Sequence, residues 1–210
     1  MIRVLVADDH AVVRRGLRQI LSSTNDMAVT GEAGTRRELF EKVSRNEHDL
    51  VVLDISMRGG SALFTLKEIK DRQPGLPVLM VGKESEDQYA VRALKAGASG
   101  WLSKESEPEE FISAIRKVSQ GRKYISYSLA EKLSLCIGPN SKEPPHETLS
   151  DQEYQVLSML ASGKTVKAIA GELYLSAKTI STYRFRILQK MKMSNNAELT
   201  RYAIRNRLVE

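Results

Sequence analysis

Cysteine is almost absent. Cys136 is the only one in 210 residues, which excludes an internal disulfide. Histidine is nearly as scarce, and His10, His48 and His146 are too dispersed to complete a Cys/His zinc site. Long apolar runs are missing as well. None approaches the roughly 18 residues a membrane-spanning helix needs, so no membrane role is expected. Met1 leads straight into a strand-like segment, not into a basic stretch with an apolar core and a cleavage site. No secretory signal is therefore read, and a cytoplasmic location is expected. Acidic residues thin out towards the C-terminus. From Ser150 onward ten basic residues face five acidic ones, which places +5 of the formal net charge of +6 there. That local excess points to an anionic partner for the C-terminal part.

What the chain does have is chemistry at the ends of short aliphatic runs. Leu50-Val51-Val52-Leu53 reads as a strand buried on both faces, and it ends on Asp54. The first run, Ile2 to Ala7, ends the same way on Asp8-Asp9. Ligands of open α/β sheets sit at the carboxyl ends of the strands, so three carboxylates are expected in one crevice. Such charges repel unless a cation joins them. Mg²⁺ is the expected cation, since it takes hard oxygen ligands from one or two carboxylates and keeps room for waters and a phosphate oxygen. An aspartate in Asp54's place can also simply cap the next element. Its coincidence with Asp8-Asp9 favours phosphoryl chemistry.

The segments between these runs alternate in period. Val12, Val13, Leu17, Ile20 and Leu21 have helical spacing, Met27–Ala33 reads as a second strand, and a helix from about Arg36 to Ser44 leads to the Asp54 strand. Helices follow at Leu63-Leu66-Ile69, at Tyr89 to Gly97 and at Phe111 to Val118, with strands at Pro77–Val81 and Gly100–Ser103 between them. Five βα units predict a doubly wound five-stranded parallel sheet. A closed eight-unit barrel needs about twice the length. Lys104 follows the fifth strand, where it is either a solvated surface group or a cation facing the carboxylates. In the second case it would stabilise a phosphoryl oxygen while Asp54 acts as nucleophile.

After Leu129, Leu133 and Leu135, which keep a short helical spacing, Gly138 to Pro145 reads as a linker that two adjacent prolines hold partly extended. The remainder is helical by pattern. Ser150 and Glu153 form a capping box, Gly163 ends that helix, Thr165 caps a short one, and Ser176 caps a longer one from Ala177 to about Met191. Short helix, tight turn and longer helix make a helix-turn-helix. In the longer helix Ile180, Ile187, Leu188 and Met191 form the buried stripe, which leaves Lys178, Thr179, Ser181, Thr182, Arg184 and Phe185 largely to the other faces. That surface is either a solvated basic face or a set of phosphate and base contacts in a DNA major groove.

Asp8-Asp9 after strand one, Asp54 after strand three and Lys104 after strand five resemble a receiver domain. The stretch Tyr89 to Gly100 is similar to the same region of NarL/FixJ-family response regulators. Leu149 to Glu153, Ala161-Ser162-Gly163, Leu175-Ser176 and Lys178 to Thr182 resemble the LuxR-type DNA-binding domain. The resemblance implies a flavodoxin-like receiver over residues 1–122, a linker with a short helix over 123–147 and an all-α helix-turn-helix domain over 148–210. It implies that Asp9, Asp54 and the carbonyl of Ser56 bind Mg²⁺, that Asp8 assists through water, and that a sensor histidine kinase phosphorylates Asp54. It also implies promoter DNA as a partner and a homodimer contact on the terminal helix carrying Ala197, Leu199, Tyr202, Ala203 and Ile204; the outer face of the longer helix then puts Lys178, Thr179, Ser181, Thr182 and Arg184 at that DNA. Several positions depart from the family pattern. Gly82 stands where a serine or threonine usually bonds the phosphoryl group, Arg58 replaces a proline, Ala62 a glycine and Phe64 a polar residue. Trp101 is a bulky version of the usual switch tyrosine. In the second half Gln152, Ala168 and Tyr183 replace an arginine, a glutamate and a histidine.

Two rivals stand beside this reading. One is a Mg²⁺-dependent aspartate phosphatase, against which the adjacency of Asp8 and Asp9 speaks, since that class separates its two aspartates by one residue. The other is a transcriptional regulator that works without phosphorylation.

Overall fold

The computed structural model describes residues 1–57, 61–82, 87–126, 129–130, 144–206 and 208–209. The chain divides into two compact units, residues 1–131 and 132–210. In the first, the aliphatic runs form β1 (Ile2–Ala7), β2 (Met27–Ala33), β3 (Leu50–Asp54), β4 (Val78–Gly82) and β5 (Gly100–Ser103). All neighbours pair in parallel, in the order β2-β1-β3-β4-β5. Five helices alternate with them: α1 (Ala11–Ser22), α2 (Arg36–Val43), α3 (Ala62–Arg72), α4 (Asp87–Lys95) and α5 (Pro108–Ser119).

Every residue of β3 and β4 is buried, because helices cover both faces of the central strands. Val4, Val6, Leu50, Val52, Leu79 and Val81 pack on one face against Leu17 and Leu21 of α1 and Phe111, Ile115 and Val118 of α5. The alternate residues Leu5, Val51, Leu53 and Met80 point to the other face, where Leu39 of α2 and Leu63, Leu66 and Ile69 of α3 are also buried. The chain's direction across the sheet reverses at β1. The crevice between the ends of β1 and β3 is therefore the topological switch point, and Ala7 pairs with Leu53, which sets Asp8 beside Asp54.

Two local features brace the sheet. The β1–β2 register shifts between Val4 and Leu5, and Thr30, passed over by that shift, brings its hydroxyl within 2.9 Å of His48 Nδ1. Beyond α5 the chain returns to β5, where the Trp101 amide donates to the Tyr124 carbonyl at 3.1 Å and the Tyr124 amide donates to the Ser99 carbonyl at 3.0 Å. That approach requires glycine at position 100, since a Cβ there would lie 2.7 Å from the Tyr124 carbonyl oxygen.

The second unit contains a 3-10 turn (Pro145–Thr148), α6 (Asp151–Ala161), α7 (Val166–Leu173), α8 (Ala177–Met191) and α9 (Asn196–Arg205). Each of these four α-helices has a side-chain cap at its N-terminus: Ser150 with the full capping box, Thr165, Ser176 and Asn195. Such caps satisfy amide donors that the first helical turn leaves unpaired. Gly163, at φ +81°, ends α6, and Tyr174, at φ +55°, ends α7 in the left-handed region. This sharp turn lets Ser176 start α8 at once. Glu153 reaches past its cap to Lys190 of α8 at 2.6 Å, and Tyr154, Val156, Leu157, Ile169, Ile180, Ile187, Met191, Leu199 and Ala203 form the buried interior. Leu188 is only partly buried, so the α8 stripe is narrower than its spacing predicts. Of the helix expected around Leu129, Leu133 and Leu135, the last two residues lie outside the described ones, as does most of the Gly138 to Pro145 linker. Among the described residues no helix is long and apolar enough to cross a membrane.

Candidate functional site

Three aspartates and one lysine meet at the carboxyl ends of β1, β3 and β5. Asp54 is 1% exposed and Asp8 3%. Lys104 Nζ lies between them, 2.8 Å from Asp8 Oδ2 and 2.9 Å from Asp54 Oδ2. Burial by itself pushes the Lys104 ammonium down, but hydrogen bonds to Asp8 and Asp54 and their charges outweigh it and hold its pKa above the usual lysine value. The lysine is thus fixed as a cation against two carboxylates. The Lys104 amide donates to the Gly82 carbonyl at 2.7 Å, which ties the end of β4 to the same site.

Ser56 approaches Asp54 by its amide, 3.1 Å from Oδ1, and by its hydroxyl, which donates to Oδ2 at 2.7 Å. Sequence reasoning missed His10. Its Nδ1 lies 3.0 Å from Asp8 Oδ1 and 2.9 Å from Asp9 Oδ1, and the ligand atoms of Asp8, Asp9, His10 and Asp54 all lie within 4.8 Å of one another. Adjacency to Asp8-Asp9 was the only signal for it. Arg14 also went unread; its Nη1 donates to the Asp8 carbonyl at 2.6 Å and its Nε to Glu32 at 3.1 Å, which anchors the loop that carries the acids. Among the described residues, a donor set of clustered carboxylate oxygens beside the Lys104 ammonium suits a hard divalent cation, so the residues present fit Mg²⁺. Behind the polar rim a cavity of about 210 Å³, lined by Val6, Val13, Leu17, Val52 and Phe111 among others, keeps the floor of the site apolar. Charges at such a floor interact more strongly than they would in water.

The departures from the family pattern take definite places. Gly82 is the last residue of β4 and has no side-chain donor, while Trp101 is buried in β5. Arg58 lies outside the described residues. The Phe64 ring lies on the surface under the Arg36 guanidinium, 4.9 Å from its carbon to the ring centre, and Arg36 pairs with Glu68. Ala62 is buried as the first residue of α3.

In the second unit Lys178, Ser181, Thr182 and Phe185 are exposed along α8, whereas Thr179 and Arg184 are half-buried. Thr179 Oγ1 lies 2.8 Å from the Ser176 hydroxyl, and Thr182 donates to the Lys178 carbonyl at 3.0 Å. Arg184 Nε donates to Asn196 Oδ1 at 2.6 Å, which steadies its guanidinium against α9. The Tyr183 hydroxyl donates to Gln152 Oε1, so two of the three departures in this half bond one another across α6 and α8. The terminal helix divides its apolar residues. Leu199 and Ala203 complete the interior and Tyr202 Oη lies 2.8 Å from His146 Nδ1, while Ala197 and Ile204 are exposed.

Comparison with known proteins places both halves. Residues 4–116 match the response regulator receiver domain, and residues 147–203 match the bacterial regulatory proteins of the luxR family. The chain is 36% identical over 209 residues to the response regulator UvrY of Escherichia coli, covering 99% of this chain and 96% of that one. It is 34% identical over 211 residues to the response regulator GacA of Pseudomonas aeruginosa, covering 100% and 99%. Among solved structures, RcsB from Salmonella enterica serovar Typhimurium, bound to promoter rprA in the presence of phosphomimetic BeF3⁻, superposes with a TM-score of 0.67 at 26% identity, covering 96% of this chain and 98% of that one. With its acid cluster at the sheet's switch point and its capped helix-turn-helix, the chain belongs to the NarL/FixJ family of two-component response regulators, in which a receiver domain is joined to a LuxR-type DNA-binding domain.

Proposed function

We propose that Asp54 accepts a phosphoryl group from a sensor histidine kinase and that this event changes how residues 148–210 bind promoter DNA, as a homodimer. The observation that carries the reading is Lys104 Nζ within 2.9 Å of both Asp8 and Asp54 at the buried switch point. An Asp54 carboxylate oxygen forms the new O–P bond as the P–N bond to the donor histidine breaks. The imidazole nitrogen keeps that electron pair and takes up a proton. Lys104 is in place to pair with a phosphoryl oxygen, and the apolar floor raises the worth of that pairing. In this reading Asp9, Asp54 and the Ser56 carbonyl would hold Mg²⁺ with Asp8 assisting, and the bound ion would supply neutralisation of charge on the transferred group. Lys178, Thr179, Ser181, Thr182 and Arg184 meet the DNA, and the exposed Ala197 and Ile204 of α9 meet the second copy. RcsB, which this chain resembles, was solved on promoter DNA with a phosphomimetic, which supports the same order of events.

Intact-mass measurement tests the acceptor. Incubation with Mg²⁺ and a small acyl phosphate should add one phosphoryl group to the natural chain and none to Asp54→Ala. Labelling that survives in the variant places the acceptor elsewhere. One observation favours a second reading, a regulator that works without phosphate: Gly82 offers the phosphoryl group no hydroxyl. DNA affinity that ignores acyl phosphate altogether would select it.

A further inference from the structure

We propose that Phe185 reads thymine, by packing its ring on the C5-methyl group in the major groove. The proposal rests on the assignment of the exposed face of α8 to DNA. Phe185 is 60% exposed in a helix whose buried residues are Ile180, Ile187 and Met191. At about 100° per residue it lies roughly opposite Ile187 and, one heptad on from Lys178, within about 20° of the same line. Ser181 and Thr182 sit one turn before it. The ring is thus the apolar centre of an otherwise basic and hydroxylic face.

A single exposed apolar side chain is ordinary on a protein surface and means nothing alone. Here its neighbours fix its direction. Tyr183 is bonded to Gln152 of α6 and Arg184 to Asn196 of α9, so the two residues before Phe185 clamp α8 from either side. That clamp sets the helix's rotation and leaves Phe185 at the crest. A phenyl ring neither donates nor accepts a hydrogen bond in the plane of a base edge. Among major-groove features the thymine methyl is the apolar group that projects furthest for packing, and phenylalanine is one of the side chains that contact it. Arg186, also exposed, provides a nearby cation for the phosphates on that side.

The test begins by selecting preferred duplexes from a random pool with the full-length protein. Each thymine of the selected site is then replaced by deoxyuridine, which removes one methyl group and no hydrogen-bonding atom. For the natural chain, replacement at one or two positions should weaken binding about fourfold, the worth of one buried methyl group. In Phe185→Ser the same replacements should have no effect, and in Phe185→Leu a partial one, with melting temperatures unchanged because the residue is exposed. A selected site without a sensitive thymine overturns the proposal, as does sensitivity that persists in Phe185→Ser, even though DNA binding by this face stands. A pool that enriches no sequence overturns it too. If Lys178→Ala and Ser181→Ala leave affinity and preference untouched, the failure lies instead in the assignment of the face, and the proposal falls with it.

Discussion

Replacing Lys104 by methionine removes one charge and keeps nearly the same length of side chain. Two buried carboxylates then face each other without their cation. At the observed 2.8 and 2.9 Å, and with an effective dielectric constant of about 20, each ion pair is worth about 6 kcal/mol before desolvation. Most of that offsets the cost of taking the groups out of water. What breaking a buried pair leaves as net loss is about 3–5 kcal/mol. Lys104 keeps 20% of its side chain exposed, so solvent screening favours the lower end, about 3 kcal/mol. Trp101, the only tryptophan, lies in the first unit and reports its unfolding by fluorescence. In urea with a chelator, Lys104→Met should unfold at clearly lower denaturant than the natural chain. Added Mg²⁺ should stabilise the variant more than the natural protein, because it supplies the missing positive charge. Adding Asp8→Asn to the variant should recover part of the loss by removing one of the two charges. A variant as stable as the natural chain in chelator would refute the idea that Lys104 holds the acid cluster together.

Burial holds the His48 imidazole below its usual pKa of about 6.5. The unfolded chain takes up that proton first, so the stability His48 contributes is present above about 6.5 and is lost as pH falls towards and through its lower folded value; His48→Gln should flatten this part of the urea-midpoint profile, and a profile identical to the natural one would show that another group is responsible. Gly100→Ala forces a Cβ to 2.7 Å from the Tyr124 carbonyl and 3.0 Å from Leu79 Cδ1, and a backbone oxygen cannot turn aside. It should cost about 1–3 kcal/mol of receiver stability, read as a lowered Trp101 unfolding midpoint, and a neutral result would mean the 124 segment detaches from β5 at no cost. On DNA, Arg184→Ala should lower affinity on most sequences and reduce the salt slope by about one, while Thr182→Ala should alter sequence preference; unchanged binding in both would remove this face from the interface.

The parts of the structure visible in the sequence are those set by local pattern. Leu50 to Leu53 reads as a strand covered on both sides because parallel pairing buries both of its faces, and Asp54 follows at its reactive end. Capping is similarly local: Ser150, Thr165 and Ser176 each announce a helix three residues ahead of the amide they accept. The places where spacing was silent depend on distant partners. His10 joins the acids through the turn after β1, Arg14 through Glu32 on β2, and Arg184 through Asn196 on α9. Nor could periodicity separate Leu199 and Ala203, which complete an interior, from Ala197 and Ile204, which remain exposed on the same helix. The two departures Gln152 and Tyr183 look unrelated along the chain and are bonded in space.

If a phosphoryl group on Asp54 controls DNA binding, Gly82 should weaken that control. A ligand shifts a two-state equilibrium only by its differential affinity for the two states. Gly82 ends β4 with its carbonyl held by the Lys104 amide and has no hydroxyl to offer the phosphoryl group. A hydrogen bond to a charged group is worth about 1.5–3 kcal/mol, or about tenfold and more in a population ratio. The direct measurement is DNA affinity with and without beryllofluoride, in the natural chain, in Gly82→Ser and in Asp54→Ala. A small gain in the natural chain, a larger one in Gly82→Ser and none in Asp54→Ala is the predicted result. A gain of about a hundredfold in the natural chain, or any gain that survives Asp54→Ala, would contradict it.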